Sequence, residues 1–169
     1  MRLLLLLLLP IVQLFEGAAC DRCSAFRGTG FAIEGGYVLT NAHVVSTHAP
    51  VWYPGGDPIR VVRQDADLDL ALLDAGDSGR AYIELADEVP PPGSTVHVIG
   101  AWRGGFELRT GTIRELHRDY IVSSMEAPRG FSGSPLLNEQ GKLIGVTVGA
   151  LPDGSNVAVR LERIKAFLQ

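Results

Sequence analysis

The chain has 169 residues, a length that suits one compact unit, and it carries a formal net charge of −4 from 15 Lys and Arg against 19 Asp and Glu. Its basic residues form no cluster, so we expect no nucleic-acid partner, because phosphate binding needs concentrated positive charge. Only two cysteines are present and no second ligand pair stands at zinc spacing, so we expect no metal site.

The N-terminus has the pattern of an export signal. An arginine and seven consecutive leucines follow Met1, and the apolar run fades by Phe15, short of the roughly 20 residues that span a bilayer. Small residues lead up to Ala19. We therefore predict a signal peptide over 1–19 and a mature chain 20–169 that is exported, either to the periplasm or out of the cell.

The two cysteines stand at the predicted cleavage site, in CDRC. In an exported chain Cys20 and Cys23 can close a tight disulfide. Cys20 would also be the first mature residue, which makes it a candidate lipid anchor and the only membrane attachment we expect. Gly17 argues against lipidation, because a larger apolar residue is usual at that position.

Over 25–159 the chain consists of short alternating or β-branched segments separated by Gly, Pro, Asp and Asn, with no helical periodicity between them. The candidate strands are GTGFAI, YVLT, VWY, IRVVR, LDLALL, TVHVIG, FELRTGTI, YIVSS, SPLLN, KLIGVTVG and NVAV. This pattern favours an all-β antiparallel fold over a doubly wound α/β sheet. One helix is predicted over about 160–169, where Leu161, Ile164 and Leu168 share a face.

A proline-rich connector, Pro90 to Gly93, divides this pattern near its middle. The two halves, about 25–89 and about 93–159, each have the length of a small barrel of roughly six strands. The predicted fold is therefore two antiparallel six-stranded β-barrels that share one interface, with a short C-terminal helix.

Two serines, Ser132 and Ser134, stand two residues apart in PRGFSGSPLLN, just before an apolar segment. A nucleophilic serine needs a base, usually histidine, and a group that fixes the imidazole. All histidines precede both serines, which excludes the Ser, Asp, His order of the α/β-hydrolases. The Asp, His, Ser order would need Asp21, beside the cleavage site, so His, Asp, Ser remains. The four histidines are His43, His48, His97 and His117.

His43 and Asp69 are the candidates that local sequence favours. His43 follows YVLTNA, where the chain leaves a strand and a side chain can enter a cleft, although a plain turn histidine fits too. Asp69 begins the apolar DLALL, so its carboxylate is partly buried and needs a donor such as an imidazole N–H. Its alternative role is to cap a turn at the strand end. Asp65 and Asp67 fit the polar approach to this strand.

Taken together, GTGFAI, YVLTNAHVV, DADLDLALL and PRGFSGSPLLNEQGKLIGVTVG resemble the chymotrypsin-fold serine peptidases, in particular the bacterial Deg/HtrA proteases. The resemblance runs from about Gly28 to Val159. The family pattern G-x-S-G-G-P, laid on Gly130 to Pro135, matches Ser132 to the nucleophile and puts Ser134 in place of the second glycine. Glutamyl endopeptidases of this fold have G-x-S-G-S-P, so Ser134 is read as a small neighbour of the site.

The resemblance implies a serine endopeptidase that acts on peptides or proteins and needs no cofactor. His43 would be the general base, Asp69 would orient it, and Ser132 would attack the carbonyl. The N–H groups of Gly130 and Ser132 would form the oxyanion hole.

Three departures from the family pattern qualify this implication. Trypsin has an aspartate before its nucleophile and the Deg/HtrA group commonly has Asn, whereas this chain has Phe131, which leaves open how firmly the peptide before Gly130 is held. The chain ends soon after its last strand, so we expect no peptide-binding PDZ domain and no control through one. Thr147 replaces the histidine with which glutamyl endopeptidases read glutamate.

The resemblance also supplies candidates for substrate binding. Glu126, six residues before Ser132, corresponds to the floor of the primary pocket in trypsin-like enzymes, where a carboxylate could pair with a substrate Arg or Lys. A solvated loop residue is its alternative role. Thr147, Gly149 and Ala150 would line or edge the same pocket. A catalytically silent module of this fold, which binds peptide or protein without cleaving it, is the alternative function.

Overall fold

The computed structural model describes residues 10–17, 24–45, 51–52, 59–76, 81–102 and 105–169. The predicted cleavage site, Cys20, Cys23 and His48 lie outside these ranges. The strands are β1 (Ile11–Gly17), β2 (Ser24–Ile33), β3 (Tyr37–Thr40), β4 (Val51–Trp52), β5 (Arg60–Asp65), β6 (Leu70–Asp74), β7 (Thr95–Trp102), β8 (Gly105–Leu116), β9 (Tyr120–Glu126), β10 (Pro135–Leu137), β11 (Leu143–Ala150) and β12 (Ser155–Arg160). Within these ranges a 3₁₀ helix spans Ala42–Val44, and the α-helix α1 spans Leu161–Leu168.

The strands form two antiparallel sheets, and each segment predicted as a strand overlaps an observed one. The C-terminal sheet closes into a barrel in the order β10-β11-β12-β9-β8-β7. The N-terminal sheet has the order β4-β1-β2-β3-β6-β5, and among the described residues its two edges meet at a single bridge, between Val51 and Ile59. The prediction of two closed barrels therefore holds for the second half of the chain, whereas the first half forms an open six-stranded sheet.

The sequence prediction contained no strand corresponding to β1. Ile11–Gly17 pairs with β2 along its length and with β4 at two positions, and Ile11 is buried. These residues lie within the predicted signal peptide. Cleavage after Ala19 would remove β1 and leave β2 unpaired on that side, so β1 belongs to the mature protein only if the chain is not cleaved there.

The largest hydrophobic cluster lies where the two sheets meet. Phe31 and Leu39 come from the N-terminal sheet, and Ile99 and Leu137 come from the barrel. A second cluster fills the barrel interior and includes Phe131. Because buried apolar residues from both halves share one core, the loops at their junction are held in fixed positions.

Helix α1 packs on this shared core. Leu161, Ile164 and Phe167 are its buried residues, whereas Leu168 is only partly buried. The predicted apolar face therefore includes all three residues named from the sequence, since Leu168 also packs against the core cluster, and Phe167 is a further buried residue that the prediction did not name. Within the described ranges, no helix has the length and hydrophobicity needed to cross a bilayer.

Candidate active site

His43 and Asp69 form a hydrogen-bonded pair on the N-terminal sheet. His43 lies in the 3₁₀ helix after β3, and Asp69 ends the turn between β5 and β6. The imidazole Nδ1 is 2.6 Å from Asp69 Oδ2, and the backbone N–H of His43 donates to Oδ1 at 2.8 Å. Both carboxylate oxygens therefore bind the same residue, which fixes the orientation of the imidazole and leaves Nε2 as its distal nitrogen.

The backbone at Asp69 is unusual. Its φ is +57°, the only positive φ among the described residues other than glycine. Aspartate tolerates this region better than most side chains, and the Asn41 amide stabilises the conformation by donating to the Asp69 carbonyl at 2.9 Å. Residues held in such a conformation cluster at functional sites, and this one aims the carboxylate at His43.

The two candidate serines differ sharply in their surroundings. Ser134 has no exposed surface, and its Oγ has no hydrogen-bond partner among the described residues. Ser132 is partly exposed, and its Oγ donates to the Val148 carbonyl at 3.2 Å. A substrate could therefore reach the Ser132 hydroxyl but not the Ser134 hydroxyl.

The turn before Ser132 presents two backbone N–H groups. The Phe131 N–H donates to the Pro128 carbonyl at 3.1 Å, and Gly130 has a φ of +101°. An i to i+3 bond with positive φ at the third residue defines a type II turn, which requires glycine there. Among the described residues, neither the Gly130 nor the Ser132 N–H donates to a protein acceptor. Both donors are available for an oxyanion.

Thr29 of β2 joins the two halves of the site. Its N–H donates to the Ser132 carbonyl at 2.8 Å, and its hydroxyl donates to the Gly130 carbonyl at 2.7 Å. The same hydroxyl accepts the Ala101 N–H at 2.9 Å, while the Thr29 carbonyl accepts the Thr40 hydroxyl at 2.7 Å. Thr40 ends β3, three residues before His43, so one buried threonine fixes the serine loop beside the histidine strand.

Gly133 allows the serine loop to lie directly against the backbone of β2 at Thr29. A Cβ at Gly133 would lie 2.0 Å from the Thr29 carbonyl oxygen and 2.3 Å from Thr40 Oγ1, and its φ is +82°. Only glycine satisfies both the backbone conformation and the packing here. A cavity of about 320 Å³ adjoins the His43–Asp69 pair and is lined by Ala42, His43, Gln64, Ala66 and Asp69.

The substrate-binding candidates have contrasting environments. Glu126 is 81% exposed, and its carboxylate lies 3.5 Å from Arg109 Nη1 rather than in an enclosed pocket. Thr147 is fully buried, and its Oγ1 has no hydrogen-bond partner in the described part of the chain. A side chain added at Gly149 would meet nothing within 4 Å, so Gly149 borders open space. The structure does not bring these three residues together by any hydrogen bond or ion pair among the described residues.

Sequence reasoning missed two residues that build the site: Thr29 and Asn41. Each acts through a contact with a residue distant in the chain, as the 101-residue separation of Thr29 from Gly130 illustrates. The one local signal was the threonine between two glycines in GTGF, a polar side chain at a position where the strand has little else to bury. The two other histidines that the structure describes lie elsewhere: His97 contacts the Thr110 hydroxyl, and His117 pairs with Glu115 on the surface.

The chain is similar to several serine proteases. Serine protease HTRA1 of Xenopus tropicalis is 30% identical over 167 residues, which cover 85% of this chain and 36% of that protein. Serine protease Rv3671c of Mycobacterium tuberculosis is 32% identical over 152 residues, covering 78% of this chain and 38% of that protein. A probable periplasmic serine endoprotease DegP-like of Rhizobium meliloti is 31% identical over 150 residues, which cover 79% of this chain and 30% of that protein. The chain thus spans less than two fifths of the length of these relatives.

Solved structures agree with the fold. The active form of the Rv3671c protease from M. tuberculosis superposes with a TM-score of 0.80 at 27% identity, covering 95% of this chain and 79% of that one. The serine endoprotease from Yersinia pestis superposes with a TM-score of 0.81 at 21% identity, covering 96% of this chain and 64% of that one. At this identity the similarity supports the fold alone. The family of the trypsin-like peptidase domain matches residues 28–146. This match covers more than half of the chain, which therefore belongs to the trypsin-like peptidase domain family.

Proposed function

We propose that this protein is a serine endopeptidase in which Ser132 attacks a peptide carbonyl. The observation that carries the proposal is the His43–Asp69 pair, fixed by two hydrogen bonds and held through Thr29 beside the loop of Ser132. The stability of the fold does not require a carboxylate that places both of its oxygens on one histidine near an accessible serine. General-base activation of a nucleophile needs this arrangement.

In this mechanism Ser132 Oγ forms a bond to the carbonyl carbon while His43 takes its proton. The hydroxyl first turns from the Val148 carbonyl, which holds it at 3.2 Å, toward the imidazole. Asp69 stabilises the imidazolium, and the N–H groups of Gly130 and Ser132 stabilise the oxyanion. The imidazolium then protonates the leaving amine, and water releases the acyl group by the same steps with water as the nucleophile.

A peptide-library digest tests the proposal and maps specificity in the same experiment. Ser132→Ala removes the nucleophile, whereas Ser134→Ala is the matched control because the Ser134 hydroxyl is fully buried and two residues away. We expect the parent and Ser134→Ala to cleave the same bonds and Ser132→Ala to cleave none. Equal cleavage by the parent and Ser132→Ala would overturn the proposal.

A catalytically silent module that binds peptide is the alternative, and the contact between the Ser132 hydroxyl and the Val148 carbonyl favours it, because that hydroxyl donates away from the base. The two functions differ in a binding measurement. A binding module would bind peptides with an affinity that Ser132→Ala leaves unchanged, and its parent form would hydrolyse none of them.

Export is part of the proposal. It rests on the leucine-rich leader and on the word periplasmic in the name of the R. meliloti relative. Cleavage after Ala19 predicts a mature N-terminus at Cys20, either free, disulfide-bonded to Cys23 or acylated. N-terminal sequencing and intact mass of the protein from its native envelope fraction test this. An N-terminus before Ile11 would retain β1 and refute the cleavage.

A further inference from the structure

We propose that Asn41 is a positioning residue of the active site, which sets the aim of the Asp69 carboxylate by holding the Asp69 backbone. This inference rests on the proposed function and deepens it. Asn41 stands two residues before His43, and its Nδ2 donates to the Asp69 carbonyl at 2.9 Å. It would touch neither the substrate nor the reacting atoms, so its effect on the reaction passes through Asp69.

The Asp69 carboxylate is bound by the same residue that it has to orient. Among the described residues its hydrogen bonds go only to His43: Oδ1 accepts the backbone N–H at 2.8 Å, and Oδ2 lies 2.6 Å from the imidazole Nδ1. In that part of the chain no third side chain holds the carboxylate. Its direction therefore has to come from the position of the Asp69 backbone.

The Asn41 amide supplies the third point of attachment between Asp69 and the segment 41–43. Two bonded atoms, Oδ1 and Oδ2, define an axis about which Asp69 can still turn relative to His43. The carbonyl oxygen lies off this axis, so its bond to Asn41 removes that freedom. The φ of +57° makes this restraint important, because a residue with a Cβ has only a small allowed region at positive φ.

The side chain of Asn41 does not have the role that asparagine usually has at the start of a helix. Asn41 is the N-cap of the 3₁₀ helix Ala42–Val44, where its oxygen would normally accept an N–H of the first turn, but it makes no such bond. The N–H of His43 is donated to Asp69 Oδ1 instead. Asp69 thus caps the helix that carries His43, while the Asn41 amide donates to the backbone of Asp69.

This exchange of partners has a cost that is visible on Asn41 itself. Asn41 has no exposed surface, and its Oδ1 has no hydrogen-bond partner among the described residues. A buried acceptor without a partner destabilises a fold, so stability alone does not explain an asparagine here. What the position requires is an uncharged N–H donor, because the group that it faces is the carbonyl of a residue with a carboxylate side chain.

The first test compares Asn41→Ala with the parent on a peptide substrate from the library digest. Because a misplacement of about 1 Å can cost 10²-fold and the substitution loosens Asp69 without removing it, we expect kcat to fall roughly 10- to 100-fold with KM changed by less than about 3-fold. Asn156→Ala is the matched control. Asn156 of β12 is equally buried, donates to the Ser123 hydroxyl at 3.3 Å and also has an Oδ1 without a partner among the described residues. We expect its kcat to stay within about 3-fold of the parent.

A double-mutant cycle gives a readout that a general loss of stability does not move. The rate at which a fluorophosphonate labels Ser132 is measured in the parent, Asn41→Ala, Asp69→Asn and the double variant. Asp69→Asn keeps the backbone carbonyl to which Asn41 donates but has no carboxylate to aim. We therefore expect Asn41→Ala to slow labelling roughly 10- to 100-fold in the parent and less than about 3-fold in Asp69→Asn. Its effect on the urea midpoint should be the same in both backgrounds.

The possible outcomes separate the two proposals. A parent that cleaves peptides, with Asn41→Ala equal to it in kcat, overturns the positioning role and leaves the proposed function intact. An equal slowing of labelling in both backgrounds, or a fall in kcat for Asn156→Ala as large as for Asn41→Ala, also overturns that role. A parent that cleaves nothing overturns both proposals. If Asn41→Ala does not fold, Asn41→Ser decides by the same comparisons, because serine suits an N-cap but its hydroxyl is too short to reach the Asp69 carbonyl.

Discussion

Replacing Thr29 with valine tests how the two halves of the site are joined. The threonine hydroxyl accepts from the Ala101 N–H at 2.9 Å and donates to the Gly130 carbonyl at 2.7 Å, and Thr29 has no exposed surface. Valine has nearly the same shape, so the substitution removes two hydrogen bonds without making a cavity. Leaving the buried Ala101 N–H unpaired costs about 1–3 kcal/mol, and leaving the partly buried Gly130 carbonyl unpaired costs less than that, which gives roughly 2–5 kcal/mol in total.

That loss is large beside the roughly 5–15 kcal/mol by which folded domains are stable. With a urea m-value of about 2 kcal/mol/M, the unfolding midpoint of Thr29→Val should fall by roughly 1–2.5 M. Thr29→Ser is the matched control, because it keeps the hydroxyl and loses only a methyl group. Turnover by the folded fraction of Thr29→Val should fall too, since the Gly130 carbonyl is no longer held. Thr29→Val within about 0.5 kcal/mol of Thr29→Ser would refute the reasoning.

Three further predictions concern single positions. Asp69→Asn should lower kcat about 10⁴-fold in a peptide assay with little change in stability, because the amide stabilises the wrong imidazole tautomer. Gly133→Ala should cost roughly 3–5 kcal/mol in urea unfolding, since its Cβ would lie 2.0 Å from a backbone oxygen, whereas Gly149→Ala meets nothing and should change stability little. Hydrogen bonds from the Ser155 N–H and hydroxyl lower the pKa of Asp153, so its stabilisation is present at neutral pH and is lost as pH falls below about 4. Asp153→Asn should flatten that acid limb in thermal unfolding.

Much of the fold could be predicted because its signals are local. The strands of the barrel alternate apolar and polar residues, and glycine or proline separates them. The proline-rich connector was equally visible, and the structure places the irregular segment before β7 there. The candidates His43, Asp69 and Ser132 could also be chosen from the sequence, because their order along the chain and their places at the ends of predicted strands are local features. In the structure His43 Nδ1 and Asp69 Oδ2 lie within hydrogen-bond distance of each other.

Features that depend on tertiary packing could not be predicted. IVQLFEG follows a run of leucines, and its pairing with β2 was hidden because hydrophobicity alone does not distinguish a leader from a strand. Closure of the first sheet depends on how far β4 and β5 pair, which no local pattern specifies. Phe131 departs from the family pattern, and only its burial over Gly100 reveals a structural purpose.

Labelling with a fluorophosphonate probe, followed by mass spectrometry of the labelled peptide, tests the central claim most directly, because the probe reacts only with an activated serine. The account predicts one label per chain, on Ser132, in the parent and in Ser134→Ala, and none in Ser132→Ala. It also predicts that Asp69→Asn slows labelling strongly. No label on the parent under conditions that label a known serine protease, or a label on any other residue, would contradict the account.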